Sequence, residues 1–297
     1  MAAATMSGPA QVASFFHPPT HTFTHVVYDH EGGQAAIIDP VMDFDAASGQ
    51  TGLASVQAVV HFIAAHRLQV VWILETHAHA DHLSCAGHLK DRYQAPVAIG
   101  AGIIAVQQHF KQVFGLGDDF VADGRQFDRL FADGDTFAIG QLSGRAIATP
   151  GHTGDSLTYV IGDAAFIGDT LFAPDTGSAR ADFPGGDAGR LFDSIQRLLG
   201  LPADTRLFLC HDYPPPGRAH EPRSALADQA ARNVHVGGGR TRSDYIALRQ
   251  ARDATLPVPA LLLPALQVNI RGGRLPVADA NGTVYLRLPL NALGGGQ

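Results

Sequence analysis

A chain of 297 residues, 45% hydrophobic and 16% charged, can bury a large core as one sizeable domain or two packed halves, which excludes disorder throughout. Its formal charge of −7, from 21 basic and 28 acidic side chains, includes no cluster of Lys and Arg able to neutralise phosphates along a groove, so nucleic acid is not an expected partner. No apolar run reaches the roughly 18 residues of a membrane span, the start MAAATMSGPA lacks the parts of an export leader, and Cys85 and Cys210 are too few for a disulfide framework, so a cytoplasmic chain is expected.

Residues 22–29 and 35–39 read as an antiparallel hairpin turning at Glu31-Gly32-Gly33. His17, His21 and His25 are four apart, a ligand spacing on a helix, but Pro18, Pro19 and the β-branched neighbours favour extended backbone. From Thr51 to His66, Leu53, Val56, Val59, Val60 and Ile63 form one face of an amphipathic helix, with His61 and His66 on its surface or boundary. The helix leads to Val-Val-Trp-Ile-Leu at 70–74, a run suited to a strand buried on both faces. Directly after it, His77, His79, Asp81 and His82 place four metal-binding groups within six residues. Their spacers, Ala78 and Ala80, are small enough for the backbone to fold tightly around an ion.

Residues 83–93 then read as helix and 97–99 as strand, while Asp123-Gly124 and Asp133-Gly134 punctuate short sheet segments at 127–131, 136–139 and 142–149. Thr149-Pro150-Gly151-His152-Thr153 ends a strand in a turn with a histidine at its tip. Strands follow at 157–161 and 164–167, the second running into Gly168-Asp169-Thr170; a helix at 187–199 precedes a strand at 206–209 that ends in Cys210-His211-Asp212-Tyr213. Beyond Pro214, helices are expected at 221–235 and 242–253 and strands at 266–271 and 284–288, with Gly237-Gly238-Gly239 as a loop.

His77 to His82, His152, Asp169 and His211 therefore each follow the C-terminal end of an apolar strand, where loops carry sites on a rigid scaffold. One histidine in such a place is ordinarily a surface or hydrogen-bonded residue. Four strand ends all carrying N and O donors point instead to a metal site.

The segments HAHADH at 77–82, TPGHT at 149–153, GDT at 168–170 and HDY at 211–213, in this order, resemble the metallo-β-lactamase superfamily over about residues 20–215. The resemblance implies an α/β (α+β) fold, an αββα sandwich with the metal at one edge. It implies a catalytic core over 1–213 and a C-terminal extension over 214–297 packed on it, most of which is expected to be a packing cap. Two glutathione-related branches share these motifs: glyoxalase II type zinc hydrolases and persulfide dioxygenases that use one iron. Arg180, Asp182 and Phe183 match the Arg-x-Asp-Phe signature of the dioxygenases, with Ser178-Ala179 in place of a Cys-Gly pair and Ala181 in place of a Thr. The tail resembles that of a longer bacterial form of dioxygenase.

If that branch's arrangement carries over, His77, His152 and Asp169 bind Fe(II), two imidazoles and a carboxylate as in non-heme iron oxygenases. Asp81, His211 and Tyr213 are the implied catalytic groups. His79, Asp81, His82 and His211 would hold and tune the ligands or bind a second metal. Arg180, Asp182 and Tyr213 are the implied substrate contacts, with the Arg180 fork pairing a substrate carboxylate and an arginine that holds only Asp182 as its structural alternative. The implied substrates are glutathione persulfide and O₂, with no membrane partner and the oligomeric state, including a homo-oligomer, left open. The alternative is a binuclear Zn²⁺ thioester hydrolase, with His77, His79 and His152 on one zinc, Asp81, His82 and His211 on the other, and Asp169 bridging.

Overall fold

Period-two alternation sorts the strand side chains into an inner and an outer face. In the computed structural model, which describes residues 9–292, the chain begins with β1 (Gln11–His17), β2 (Thr22–Tyr28) and β3 (Gln34–Ile38), followed by β4 (Val41–Asp45), β5 (Gln50–Gly52), α1 (Ala54–Ala65) and β6 (Gln69–Leu74). Next come β7 (Leu83–Ser84), α2 (Ala86–Tyr93), β8 (Val97–Gly100), α3 (Ile103–Val113) and β9 (Arg129–Phe131). The second half runs β10 (Thr136–Ile139), β11 (Leu142–Ala148), β12 (Leu157–Ile161), β13 (Ala164–Phe166), α4 (Ala188–Leu199) and β14 (Arg206–Phe208). It ends with β15 (Arg223–Ala225), α5 (Leu226–Arg232), α6 (Arg242–Asp253) and α7 (Leu262–Asn269). Residues 1–8, which include most of the segment in which no export leader was expected, lie outside the described residues.

Among the described residues there are two six-stranded sheets, β1-β2-β3-β6-β8-β9 and β10-β11-β12-β13-β14-β15, and a small β5-β4-β7 ladder. Val27, Ile38 and Leu74 point inward and meet Ile139, Tyr159 and Phe166 of the second sheet, while their neighbours Val26, Ile37 and Ile73 point outward beneath α1, α2, α3 and α7. On the far side, Ala165, Ile167 and Leu207 are covered by Leu191, Ile195 and Leu198 of α4 and Tyr245 of α6. The layers are therefore αββα. Each fully buried Leu, Ile or Val contributes roughly 1.5–3 kcal/mol from removal of apolar surface from water.

Strand direction gathers the motifs at one edge. β11 and β13 are both antiparallel to β12, and β13 is parallel to β14, so the three point the same way. Their C-terminal ends deliver His152, Asp169 and His211 to the same side. β6 brings the His77–His82 loop to meet them, and the Leu157 N–H donates to the Thr76 carbonyl across the two sheets at 2.8 Å.

The C-terminal part departs from expectation in detail. Residues 266–271 fall largely in α7, residues 284–288 are irregular, and the helix expected over 221–235 is the short β15 followed by α5. The extension divides between the outer layers, α5 and α6 on the second sheet's side and α7 on the first's. No helix among the described residues is long and apolar enough to cross a membrane.

Candidate metal centre

His77, His152 and Asp169 each bring one ligand atom within 4.8 Å of the others. His77 Nε2 and His152 Nε2 stand 4.0 and 3.6 Å from Asp169 Oδ2. His79, Asp81, His82 and His211 form a second group within the same 4.8 Å limit. His211 Nε2 lies 3.2 Å from Asp81 Oδ2 and 3.4 Å from Asp169 Oδ1, so Asp169 faces both groups. Gly168, at φ +50°, makes the turn that aims Asp169, and a Cβ there would stand 2.7 Å from Thr76 Oγ1.

The donor atoms fit a metal. His77 Nε2, His79 Nδ1, Asp81 Oδ2, His82 Nε2, Asp169 Oδ1 and His211 Nε2 are buried without hydrogen-bond partners. Unpaired buried polar atoms cost roughly 1–3 kcal/mol each, and a bound metal would satisfy so many gathered at one place. Imidazole nitrogens with carboxylate oxygens suit zinc or iron. Burial, reinforced by repulsion from His79, holds His77 well below its ordinary pKa and pushes His82 down to about 4, which keeps both imidazoles in the neutral form that binds metal.

Hydrogen bonds at the other ring nitrogens orient the ligands. His152 Nδ1 donates to the Arg180 carbonyl at 2.7 Å, His77 Nδ1 meets Thr76 Oγ1 at 3.0 Å, and His79 Nε2 lies 3.1 Å from Asp39 Oδ1. Backbone anchors hold the loop. Asp39 accepts from the Thr76 N–H at 2.7 Å, Asp155 from the Ala78 N–H at 2.8 Å, and Asn269 Nδ2 donates to the His79 and His82 carbonyls, both at 2.8 Å. Sequence reasoning missed Asp39, Asp155 and Asn269, and Glu75, whose Oε2 lies 3.4 Å from His79 Nε2. Asp39 carried a usable signal, an acid at the C-terminal end of β3 like Asp169 after β13. Of the early histidines, His25 Nε2 donates to the Leu209 carbonyl and His21 accepts at its carbonyl from the Asp212 N–H.

A cavity of about 380 Å³ opens beside the ligands, within the range of about 300–1,000 Å³ usual for small-molecule sites. Asp81, His152 and Asp169 line its floor, and Phe172, Phe183, Leu256 and Pro259 its walls. Tyr213 lies at its edge, its ring stacked on His211. Arg180 is a wall residue, but its guanidinium already bonds Asp182 at 2.6 and 2.7 Å and the Pro257 carbonyl at 2.6 Å. Arg252 lines the same cavity, and its side chain makes no hydrogen bond or ion pair among the described residues. The extension, expected mainly as a packing cap, thus supplies Arg249, Arg252, Leu256 and Pro259 to the cavity. A larger hollow of about 700 Å³, around Asp175, Arg218 and Arg232, contains none of the ligand residues.

The chain is 49% identical over 292 residues to a probable metallo-hydrolase of Burkholderia pseudomallei, across 95% of this chain and 99% of that one. It is 28% identical to the mitochondrial persulfide dioxygenase ETHE1 of Homo sapiens over 208 residues, 69% of each chain. The crystal structure of ETHE1 from Myxococcus xanthus superposes with a TM-score of 0.70 at 30% identity, covering 89% of this chain and 100% of that one. The metallo-beta-lactamase superfamily model matches residues 17–211, which span every candidate ligand described above, and the protein is an enzyme of that superfamily.

Proposed function

We propose that this protein is a persulfide dioxygenase, which converts glutathione persulfide, dioxygen and water to glutathione and sulfite with one iron bound. The observation that carries this reading is the contact between the Arg180-Ala181-Asp182-Phe183 segment and His152. That segment resembles the dioxygenase signature, and its Arg180 carbonyl holds the His152 ring while Phe183 lies edge-on to the same ring at 5.1 Å. Similarity to the human persulfide dioxygenase and to the Myxococcus structure supports it.

His77, His152 and Asp169 would hold the iron. Bound there, reduced iron supplies the one-electron chemistry through which dioxygen reacts with a closed-shell persulfide. Arg180 and Arg252 offer cationic partners for the two carboxylates of glutathione, and the Phe172, Phe183, Leu256 and Pro259 walls suit the paired sulfurs. Tyr213, partly exposed at the cavity edge, presents its hydroxyl as a hydrogen-bond donor. His211 Nε2, 3.2 Å from Asp81 Oδ2, would hold a proton for the departing thiolate. A cytoplasmic location belongs to the same proposal and fits two free, buried cysteines.

The second reading, a binuclear zinc hydrolase of glutathione thioesters, is favoured by the complete second donor group His79, Asp81, His82 and His211 and by the name of the Burkholderia relative. Metal analysis of protein purified without oxygen separates the two. One iron per chain is expected; two zincs per chain would overturn the dioxygenase reading.

A further inference from the structure

The extension reaches the metal centre from a side that no ligand motif marks. Helix α6 buries Tyr245, Arg249 and Asp253, spaced four residues apart on one stripe. Arg249 Nε donates to Asp253 Oδ1 at 2.9 Å, and Arg249 Nη2 lies 2.6 Å from the same oxygen. Each partner also holds a backbone group of the neighbouring loop: Arg249 Nη1 donates to the Ser178 carbonyl at 2.9 Å, and Asp253 Oδ2 accepts from the Ala181 N–H at 2.9 Å. Between these two points lies Arg180, whose carbonyl accepts from His152 Nδ1 at 2.7 Å. His235 adds a third hold. Burial and the charge of Arg249 push its pKa down to about 4, so the ring is neutral and Nδ1 accepts from the Ser178 N–H at 2.9 Å.

A buried ion pair is a poor source of net stability, because desolvation of both charges opposes their attraction. Its distinctive effect here is to fix position. We propose that Arg249 and Asp253 are a positioning pair for His152: by gripping the loop at Ser178 and Ala181 they set the Arg180 carbonyl that orients the imidazole. The inference rests on His152 being a metal ligand. Arg249 also lines the cavity, but neither side chain is among the candidate ligands, and the pair's hold on His152 runs through the loop.

The test is titration of the metal-stripped full chain with Co²⁺ alone, read by visible absorption below the melting temperature of each protein. Arg249→Met with Asp253→Leu replaces the pair by apolar side chains, and Asp253→Asn, which keeps the shape, serves where the double variant does not fold. Either folded variant is expected to bind cobalt about ten- to a hundredfold more weakly, with displaced absorption bands. Val59→Ala, a core truncation on α1 in the opposite outer layer, is the control for general destabilisation and keeps the wild-type spectrum and affinity. Wild-type cobalt binding in the folded pair variants, or an equal loss in Val59→Ala, overturns the proposal. His152→Ala in parallel distinguishes the failures: unchanged binding there overturns the ligand reading itself, whereas loss there with no change in the pair variants overturns only the positioning.

Discussion

Three residues outside the candidate ligand set carry testable electrostatics. Burial pushes His25 from its ordinary pKa of 6.5 down to about 4, so the folded protein holds it neutral. The unfolded chain binds the proton more readily, so the stability that His25 contributes is complete above about pH 6.5 and is lost as pH falls toward 4. His25→Gln keeps a donor for the Leu209 carbonyl without the titration. In urea unfolding of metal-free protein, the fall in stability between about pH 7 and 4.5 should be smaller in this variant by about 2.5 kcal/mol. An equal fall in both proteins would contradict the assignment. At the cavity, Arg252→Ala is expected to raise KM for glutathione persulfide about fivefold with little change in kcat, the ~1 kcal/mol of a solvent-screened pair. Arg180→Ala also frees Asp182 and the Pro257 carbonyl, so KM and kcat should both suffer. Steady-state oxygen uptake distinguishes these two patterns. The candidate ligands were legible because their motifs follow strand ends; Arg252 was not, because the cavity it lines is assembled by distant segments.

At the scale of elements, α7 shows where sequence patterning runs out. Leu-Leu-Pro-Ala-Leu-Gln-Val-Asn at 262–269 is nearly continuous in apolar residues, and a short apolar run does not reveal its period. Its Asn269, expected within a strand, instead bonds the His79 and His82 carbonyls and accepts from the Ser84 N–H at 2.8 Å. Asn269→Ala leaves all three groups unpaired, which should lower stability by about 2–4 kcal/mol, less than the sum of independent losses because water and relaxation recover part. Chemical denaturation of the metal-free protein measures this, and a change below about 0.5 kcal/mol would contradict the role. By contrast α3, unassigned in the sequence reading, buries Ile103, Val106, Gln107 and Phe110 at helical spacing and was open to the same periodicity argument that found α1. Helix α6 was correctly expected over 242–253, but its buried Arg249 and Asp253 carry no apolar signal and find their partners only in the folded loop.

For the molecule as a whole, the two-sheet architecture follows from short strands whose alternating side chains divide between a core shared by the sheets and outer cores beneath the helices. Parallel alignment of β11, β13 and β14 then turns separate motifs into one centre. The order of those motifs made the superfamily legible; the choice of reaction depends on how the metals and substrate occupy a donor set that both readings share. Oxygen uptake by the iron-loaded full chain with glutathione persulfide, with sulfite measured and a glutathione thioester supplied in parallel, tests the central claim most directly. The account predicts oxygen consumption with matching sulfite and no thioester cleavage; rapid thioester cleavage without oxygen consumption would contradict it.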